Sequence, residues 1–374
     1  MPVVGVIGAG QLARMMQPAA IALGIGIKVF AESESSSAHQ AVTKVGDYND
    51  FDLLVDFAKT VDVITFDHEH VPTAILERLT QEGYAVRPGP NALKHAQNKL
   101  TMRRKLTELG LPQPIWTAAK NEAEVEAFLA THGPKIVVKT PIGGYDGKGV
   151  RVISAVSEII DWLEHIDGFG GELLLEEKVD FVGELAQLSA RNPSGEFRAW
   201  PLVATFQEAG VCSEVISPAP AFEHHAMAEQ IAQSIAEALA VVGVMAVELF
   251  QTRSGEILVN ELAMRPHNSG HFSIDASLTS QFEQHLRAVL DLPLGDTSGI
   301  AKFAVMINLL GVDSENDFVS HYSTAMVQYP QIKFHLYEKA PRKGRKMGHL
   351  TLQGDDLEAL LAAGRACKEL LYNR

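Results

Sequence analysis

Two short apolar runs in the second half of the chain predict a β-hairpin that carries a pair of glutamates. The runs span residues 245–250 and 256–262, and the turn-forming residues Thr-Arg-Ser-Gly lie between them. A four-residue turn places Glu248 opposite Val259 and diagonal to Glu261 on the same face, about 7–8 Å away at the backbone. This arrangement would let both carboxylates hold one cation.

The apolar neighbours of these glutamates favour a metal site over two solvated surface charges. They imply burial on at least one face of the hairpin, and two unpaired buried carboxylates would cost several kcal/mol each. Carboxylates without nearby cysteines suit a hard ion such as Mg²⁺, which takes its remaining ligands from phosphates and water. Asn260, Arg265 and Asn268 follow closely in the sequence and add polar groups. The metal interpretation therefore requires a phosphate-binding element elsewhere in the chain.

Composition restricts the class of protein. The chain has 374 residues, of which 46% are hydrophobic, which is enough for a large core in two or three domains. No apolar run approaches the ~20 residues of a membrane span, and the start MPVVGVIGAG lacks a signal pattern, so we expect a cytoplasmic protein without membrane contact. The net charge of −14 disfavours a nucleic-acid surface. Cys212 and Cys367 are expected to be ordinary thiols.

The first residues predict a βαβ unit. Strands at Val3 to Ile7 and Ile27 to Ala31 flank a helix, and the loop between the first strand and the helix has the pattern G-x-G-x-x-A. Glu32 ends the second strand, where a dinucleotide-binding fold would place its ribose ligand. Gly8, Gly10 and Glu32 therefore support an NAD(P)-dependent oxidoreductase as an alternative.

A polar segment follows the next predicted strand, residues 61–66. It reads Asp-His-Glu-His-Val-Pro and lies at the carboxyl end of a parallel-type strand, where open α/β sheets bind ligands. Glu69 is the candidate substrate contact. His68 and His70 suggest zinc, but no third ligand is evident, so a solvated loop is favoured.

A second module begins after a predicted basic, amphipathic helix at residues 94–109. The sequence Leu-Pro-Gln-Pro breaks this helix and marks a domain boundary near residue 112. A helix at 122–132 and a strand at 135–139 then lead to a glycine-rich loop. A further strand at 150–153 follows that loop.

The glycine-rich loop, Gly143 to Gly149, is not a P-loop, because Lys148 precedes a glycine and a strand instead of Ser or Thr and a helix. Its backbone N–H groups can still bind phosphates, and the loop can close as a lid. The alternative is a flexible hairpin tip, which the flanking Lys139 and Lys148 disfavour.

An adenine-binding segment is predicted after the strand at 173–175. The chain continues with Glu176, Glu177, Lys178 and Val179, and the backbone at a strand exit can bind an adenine edge. Glu184 would suit ribose hydroxyls. A solvated edge of charged residues is an equally good interpretation of this segment.

Taken in order, these features resemble the ATP-grasp enzymes, and among them the ATP-dependent carboxylases of purine synthesis. The resemblance runs almost from end to end. It is carried by GQLARM at 10–15, TFDHEHVP at 65–72, GGYDGKG at 143–149, NELAMRPHNSGH at 260–271 and GRKMGH at 344–349.

The resemblance implies a fold of the α/β and α+β classes. It would comprise an N-terminal Rossmann-like (pre-ATP-grasp) domain at 1–111, a small glycine-loop lid domain at 112–184 and a C-terminal mixed domain at 185–374. The implied reaction is the carboxylation of 5-aminoimidazole ribonucleotide by ATP and bicarbonate through carboxyphosphate, releasing ADP and phosphate, in de novo purine biosynthesis. The implied cofactor is Mg²⁺, with Mn²⁺ as a substitute, and the implied assembly is a homodimer.

The resemblance also implies roles for individual residues. For ATP they are Lys99, Lys139, Gly143, Gly144, Tyr145, Gly147, Lys148, Gly149, Glu176, Glu177, Lys178, Val179, Glu184, Gln207, Asn260 and Glu261. Glu248 and Glu261 would hold the metal. The ribonucleotide would contact Glu69, Tyr145, Asp146, Lys148, Lys339 and Arg345. Arg265, His267 and Asn268 would line the bicarbonate and phosphoryl-transfer region, and Asp146 could act as a general base.

The sequence departs from the family pattern at three places. Pro141-Ile142 replaces a more basic pair, Asp67 stands where Glu is common, and Glu338 replaces a glycine before Lys339. The segment from Lys339 to Arg345 is also one residue short. Two further alternatives therefore stay open, namely an ATP-grasp ligase for another amine or acid and a non-catalytic ATP sensor.

Overall fold

The computed structural model describes residues 1–144, 149–208, 210–312 and 318–372. The predicted site residues Tyr145, Asp146, Gly147 and Lys148 lie outside these ranges. Within the described residues, no helix is both long and apolar enough to span a bilayer.

The N-terminal part is a parallel sheet between helices. Its strand order is β3-β2-β1-β4, and every pairing is parallel. Apolar residues on both faces of the strands pack into two clusters, as expected for a covered parallel sheet. The elements are β1 (Val3–Ile7), α1 (Gln11–Leu23), β2 (Gly26–Ala31), β3 (Val42–Val45), α2 (Phe51–Ala58), β4 (Val63–Phe66) and α3 (Thr73–Gln81).

The single basic helix predicted at residues 94–109 is wrong, because two helices occupy this region. They are α4 (Pro90–Gln97) and α5 (Lys99–Glu108). Asn98 separates them in an extended conformation, with φ −134° and ψ 111°, and its side chain accepts a hydrogen bond from the Thr101 N–H. Asn98 is thus an N-cap that starts a new helix at Lys99.

The middle part is a small antiparallel sheet with the strand order β5-β8-β6-β7. The helix predicted at 122–132 and the strand predicted at 150–153 are confirmed to the residue. The elements are β5 (Trp116–Ala119), α6 (Glu122–His132), β6 (Ile136–Lys139), β7 (Val150–Ile153), α7 (Ile160–Glu164) and β8 (Leu173–Glu177). The glycine-rich loop connects β6 to β7, as predicted.

The rest of the chain forms a large antiparallel sheet. Its order over the described residues is β14-β13-β9-β11-β12-β15-β17-β16, with β10 paired to β9. The elements are β9 (Phe181–Arg191), β10 (Phe197–Ala199), β11 (Val203–Glu208), β12 (Val211–Ser217), α8 (His225–Ala238), β13 (Gly243–Thr252), β14 (Ile257–Ala263), α9 (Ser273–Ala276), α10 (Gln281–Val289), β15 (Phe303–Leu310), α11 (Phe318–Gln328), β16 (Lys333–Leu336), β17 (Lys346–Gly354) and α12 (Leu357–Tyr372). Residues 184 and 185, the predicted domain boundary, both belong to β9.

The predicted hairpin exists, but its predicted register is wrong. Leu249 pairs with Val259, and Glu248 pairs directly with Glu261. The register shifts between Glu248 and Leu249, so Asn260 is the extra residue of a β-bulge. Gln251 also pairs with Ile257 and not with Glu256, so the longer turn and the bulge each shift the register by one residue and together bring the two glutamates opposite each other instead of diagonal.

A buried histidine connects the N-terminal sheet to the large sheet. His285, in α10, is fully buried, and its Nδ1 accepts a hydrogen bond of 3.0 Å from the Val244 N–H in β13. Its Nε2 is 2.7 Å from the Thr65 hydroxyl in β4. Because Nδ1 is the acceptor, Nε2 carries the proton and donates to Thr65. The imidazole therefore joins the two sheets in its neutral form.

Candidate active site

Glu248 and Glu261 form the centre of the site. Both lie on the face of the hairpin opposite the buried Val247 and Leu262, and their side chains are 34% and 40% exposed. Lys99 Nζ is 3.3 Å from Glu261 Oε1, and His267 Nε2 is 3.1 Å from Glu248 Oε1. Among the described residues, each carboxylate thus has a positive or polar partner on one oxygen and none on the other.

This donor set fits a hard cation that shares its coordination with a substrate. Among the described residues there is no cluster of three or more His, Cys, Asp or Glu that could hold a metal unaided. Burial opposes the ionisation of Glu248, but His267, Lys346 and Arg265 outweigh it and lower its pKa. Mg²⁺ that is bound to substrate phosphates needs only one or two carboxylates from the protein. Glu248 and Glu261 can supply these ligands.

A buried ion-pair network lies beside the carboxylates. Glu176 is 2% exposed, and its two oxygens accept from Lys139 Nζ at 2.8 Å and Arg103 Nε at 2.7 Å. Burial alone would raise the pKa of Glu176, yet these two cations hold it below the usual value. Lys139 Nζ also donates to Asn260 Oδ1 at 3.1 Å. The network connects β6, β8 and the bulge in β14.

Arg103 is a residue that the sequence analysis missed. Its side chain is fully buried, and its NH1 and NH2 groups donate to the Val259 and Asn260 carbonyls at 2.8 and 2.9 Å. Arg103 lies one helical turn after Lys99 on α5, so both face the hairpin. That i, i+4 spacing is the signal that could have identified it.

The glycine-rich loop reaches the carboxylates through Lys99. Lys99 Nζ donates to the Gly144 carbonyl at 3.3 Å, and its backbone N–H donates to the Pro141 carbonyl at 2.9 Å. Gly143 and Gly149 have φ values of 77° and 71°, which favour glycine. The described ends of the loop therefore lie next to the proposed metal site.

The predicted adenine and ribose residues lie at the ends of β8, β9 and β11. Glu177 ends β8 and accepts from the Ile115 N–H at 2.9 Å, while Lys178 and Val179 are in the connection to β9. Gln207 is exposed at a register shift in β11. Burial, together with the charge of Glu248, raises the pKa of Glu184 to about 7.

Glu69 connects the N-terminal part to the segment after β14. Its Oε1 accepts from the Met264 N–H at 2.6 Å, and its Oε2 is 3.3 Å from Arg265 Nε. Asn268 is buried and exchanges two hydrogen bonds with Asn308, of 3.1 and 2.7 Å. Of the residues predicted for the bicarbonate region, Arg265 and His267 therefore contact predicted site groups, whereas Asn268 is held by the sheet.

Comparisons with known proteins match the whole architecture. The family models described as ribonucleotide synthetase preATP-grasp domain, ATP-grasp domain and phosphoribosylaminoimidazole carboxylase C-terminal domain match residues 1–97, 104–282 and 304–363. The N5-carboxyaminoimidazole ribonucleotide synthase of Mycobacterium tuberculosis is 46% identical over 96% of this chain and 85% of its own length. That of Corynebacterium ammoniagenes is 44% identical over 100% of this chain and 92% of its own length.

The chain belongs to the N5-carboxyaminoimidazole ribonucleotide synthase family. A solved structure of such a synthase from Aspergillus clavatus, in complex with ADP and 5-aminoimidazole ribonucleotide, has a TM-score of 0.89 and 28% identity, covering 99% of this chain and 98% of that one. The predicted ATP-grasp fold with an N-terminal Rossmann-like domain is confirmed.

One departure from the synthase family pattern has a structural explanation in the N-terminal loop. Asp67 accepts from the Gly10 N–H and the Ala13 N–H, both at 2.8 Å. Its carboxylate occupies the amino end of α1, where a dinucleotide fold would bind pyrophosphate. The geometry therefore argues against the NAD(P) alternative, because the anion position is filled by the chain itself.

A second departure, Glu338, lies between β16 and β17 and connects this hairpin to α1. Glu338 has a φ of 49°, a left-handed conformation that glycine adopts without strain. Its carboxylate pairs with Arg14 at 2.8 Å, and the neighbouring Lys339 donates to Gln11 Oε1. Arg345 donates to the Ala340 carbonyl at 3.1 Å. Lys339 is thus held at the amino end of α1, and Arg345 is held against its own loop.

Proposed function

We propose that this chain catalyses the ATP- and bicarbonate-dependent carboxylation of 5-aminoimidazole ribonucleotide to its N5-carboxyamino derivative. A bicarbonate oxygen attacks the γ-phosphorus of ATP, and ADP leaves. The resulting carboxyphosphate breaks its C–O bond to give CO₂ and phosphate. The exocyclic amine of the ribonucleotide attacks CO₂ and loses one proton.

The observation that carries this proposal is the direct pairing of Glu248 with Glu261, flanked by Lys99 and His267. Two carboxylates with open oxygens suit Mg²⁺ bound to the phosphates of ATP, with Mn²⁺ as a substitute. The metal would neutralise phosphate charge and polarise the γ-phosphoryl group during transfer. Support for this role comes from the membership of the family and from the lowered pKa of Glu248.

The ATP site would extend from the metal pair along the neighbouring strands. Lys99 and Lys139 would meet the phosphates, together with Asn260 and the backbone of the glycine-rich loop. The segment from Glu176 to Val179 would contact the adenine. Glu184 would bind the ribose hydroxyls and Gln207 would add a polar contact. Lys139 is already paired with Glu176, so the ion-pair network orients this lysine before ATP binds.

Bicarbonate and the ribonucleotide would bind between the N-terminal sheet and the segment after β14. Arg265, His267 and Asn268 would face bicarbonate and the transferred phosphoryl group. Glu69 would contact the ribonucleotide, and its bond to the Met264 N–H and its ion pair with Arg265 would align both sides of the cleft. This placement sets the anionic reactants beside an arginine and a metal.

The far end of the ribonucleotide carries a phosphate, which Lys339 and Arg345 would bind. Lys339 donates to Gln11 Oε1 in the first turn of α1, and its ammonium group would supply the positive charge for this phosphate. Asp146, in the loop residues outside the described ranges, would take the proton from the amine. Tyr145 and Lys148 would complete the lid over the ribonucleotide.

Several features beyond the reaction are also proposals. We propose a cytoplasmic homodimer, as the resemblance implies, and the division into units at 1–111, 112–184 and 185–374. The position of residue 112 is consistent with the end of α5 and the start of β5.

The test is ADP release by the purified protein with ATP, bicarbonate and 5-aminoimidazole ribonucleotide, each omitted in turn. The proposal predicts rapid ADP formation only with all three, and a slow residual rate without the ribonucleotide. An unchanged rate without bicarbonate would reject carboxyphosphate chemistry. A response to another amine or acid instead of the ribonucleotide would indicate a different ATP-grasp ligase.

A further inference from the structure

Gln281, the first residue of α10, is a fully buried amide whose side chain binds the backbone of a single residue in two places. Its Oε1 accepts from the His267 N–H at 2.8 Å, and its Nε2 donates to the His267 carbonyl at 2.9 Å. Nε2 also donates to Nδ1 of the buried His271 at 2.8 Å. The side-chain amide thus uses both donors and its acceptor on one loop.

The imidazole of His267 is fixed as firmly as its backbone. Its Nδ1 accepts hydrogen bonds from the Ser269 hydroxyl at 2.9 Å and from the Ser269 N–H at 3.4 Å. Because Nδ1 is the acceptor, the ring proton lies on Nε2. That proton points to Glu248 Oε1 at 3.1 Å. The chain of contacts therefore runs from Gln281 through His267 to Glu248.

We infer that Gln281 is a positioning residue for Glu248, acting through His267. This inference rests on the proposed metal role of Glu248 and Glu261. Groups that orient a metal ligand in this way contribute strongly to metal affinity, typically by about 10- to 100-fold. Without the amide, the His267 N–H loses its partner and the His267 carbonyl keeps only the Gly270 N–H at 3.0 Å. The ring then loses the backbone support that directs Nε2 to one oxygen of Glu248.

The same helix provides a matched control. Gln284 lies three residues later in α10, is also fully buried, and binds the backbone of Gly295 in the same two-point manner. Its Oε1 accepts from the Gly295 N–H at 2.7 Å, and its Nε2 donates to the Gly295 carbonyl at 2.9 Å. Gly295 lies in the connection from α10 to β15, which holds none of the proposed site residues. Substitution of Gln284 therefore measures how far the loss of a buried, two-point amide destabilises the fold without affecting the proposed site.

The experiment compares Gln281→Glu with Gln284→Glu in the full chain. A carboxylate keeps the shape of the amide and the acceptor for the His267 N–H, but it has no N–H donor. At position 281 the His267 carbonyl therefore loses its side-chain donor, and Nδ1 of His271 loses the N–H that it accepts from. Mn²⁺ binding is measured by electron paramagnetic resonance in the presence of ADP, alongside thermal unfolding. Steady-state kinetics give the Mg²⁺ activation constant and the KM for the ribonucleotide.

The inference predicts that Gln281→Glu weakens Mn²⁺ binding and raises the Mg²⁺ activation constant by about 10-fold or more. The KM for the ribonucleotide should change less than about threefold, and Gln284→Glu should bind Mn²⁺ like the parent. Equal Mn²⁺ affinity in the two variants would overturn the inference. If neither carboxylate variant folds, Gln281→Met and Gln284→Met give the same comparison, because both remove the donor and the acceptor of the amide without adding charge.

A third variant separates this inference from the proposed function. Glu261→Gln should lose Mn²⁺ binding outright if the glutamate pair holds the metal. Normal Mn²⁺ binding by Glu261→Gln would reject the metal site itself. Loss in Glu261→Gln together with normal binding in Gln281→Glu would reject only the positioning role.

Discussion

Glu248 and Glu261 lie directly opposite each other across β13 and β14, because the bulge at Asn260 shifts the register of the hairpin by one residue. In an unbulged hairpin with the same turn, the two side chains would not be directly paired. The bulge also turns the Asn260 side chain to Lys139 and exposes its carbonyl to Arg103. One backbone irregularity therefore assembles the proposed metal ligands and their surrounding cations.

Glu261→Gln should lower the rate of MgATP turnover by about 100-fold or more while the fold stays intact. The amide changes the charge of the pair but hardly its volume. ADP formation and thermal unfolding are measured together on the same preparation. Full activity, or collapse of the fold in the presence of Mg²⁺, would count against the metal role of this residue.

Arg103→Met should lower the free energy of unfolding by about 3 kcal/mol, because Glu176 and two carbonyl groups lose a buried partner. It should also raise the KM for ATP, since Lys139 then remains the sole cation of the three-residue network. Urea denaturation measures the loss of stability, and steady-state kinetics at varied ATP concentration measure the KM. Arg104→Met is the control, because Arg104 forms an exposed pair with Glu172 that is worth at most about 1 kcal/mol. Similar losses in the two variants would contradict the buried-network account.

Arg345→Ala should raise the KM for the ribonucleotide far more than the KM for ATP. An arginine side chain suits a phosphate dianion, and its hydrogen bond to the Ala340 carbonyl keeps it close to Lys339. Arg342→Ala, in the same basic segment but exposed, provides the matched control. If both variants change the two KM values equally, the phosphate assignment is wrong.

Asp146→Asn should lose carboxylation of the ribonucleotide but retain a slow, bicarbonate-dependent ATPase. The two half-reactions use different groups, since phosphorylation of bicarbonate depends on the metal pair and the lysines. Asparagine preserves most of the turn-forming capacity of aspartate, so a purely structural role would leave the rate within a few-fold. Labelled bicarbonate reaching the ribonucleotide at the parent rate would exclude Asp146 as the base.

His285 should make the fold sensitive to acid. Burial lowers its pKa to about 3, whereas the unfolded chain binds a proton near pH 6.5. The stabilisation from the neutral ring is therefore complete above pH 6.5 and is lost as the pH falls towards 3, at about 1.4 kcal/mol per pH unit. In His285→Gln this contribution is absent, so the difference in unfolding free energy from the parent should narrow as the pH falls. A constant difference between pH 7 and pH 4.5 would contradict this account.

Local sequence signals were sufficient to predict elements that have a clear hydrophobic periodicity and recognisable residues at their ends. The helix Glu122–His132 has an Asn N-cap and a following glycine, and its bounds were predicted to the residue. The strand Val42–Val45 was missed because it is only four residues long and none of its side chains is buried. The break at Asn98 was missed because a capping asparagine inside a basic run resembles an ordinary helical position.

The parts of the site that depend on distant contacts could not be predicted in the same way. Side-chain alternation encodes neither the exact length of a turn nor a bulge, and each of them moved the register of this hairpin by one residue. The pairing of Glu248 with Glu261 was therefore not predicted. Arg103 lies among other basic residues, and only its packing against β8 and β14 distinguishes it from solvated neighbours. The binding of Gln281 to His267 joins residues 14 positions apart, with no local signature.

The most direct test of the central claim follows the carbon of labelled bicarbonate. The protein is incubated with ATP, Mg²⁺, ¹³C-bicarbonate and 5-aminoimidazole ribonucleotide, and the labelled product is identified by nuclear magnetic resonance. One labelled carbon on the exocyclic nitrogen is expected for each ADP released. ADP formation without label on that nitrogen, or label transfer that is independent of ATP, would contradict it.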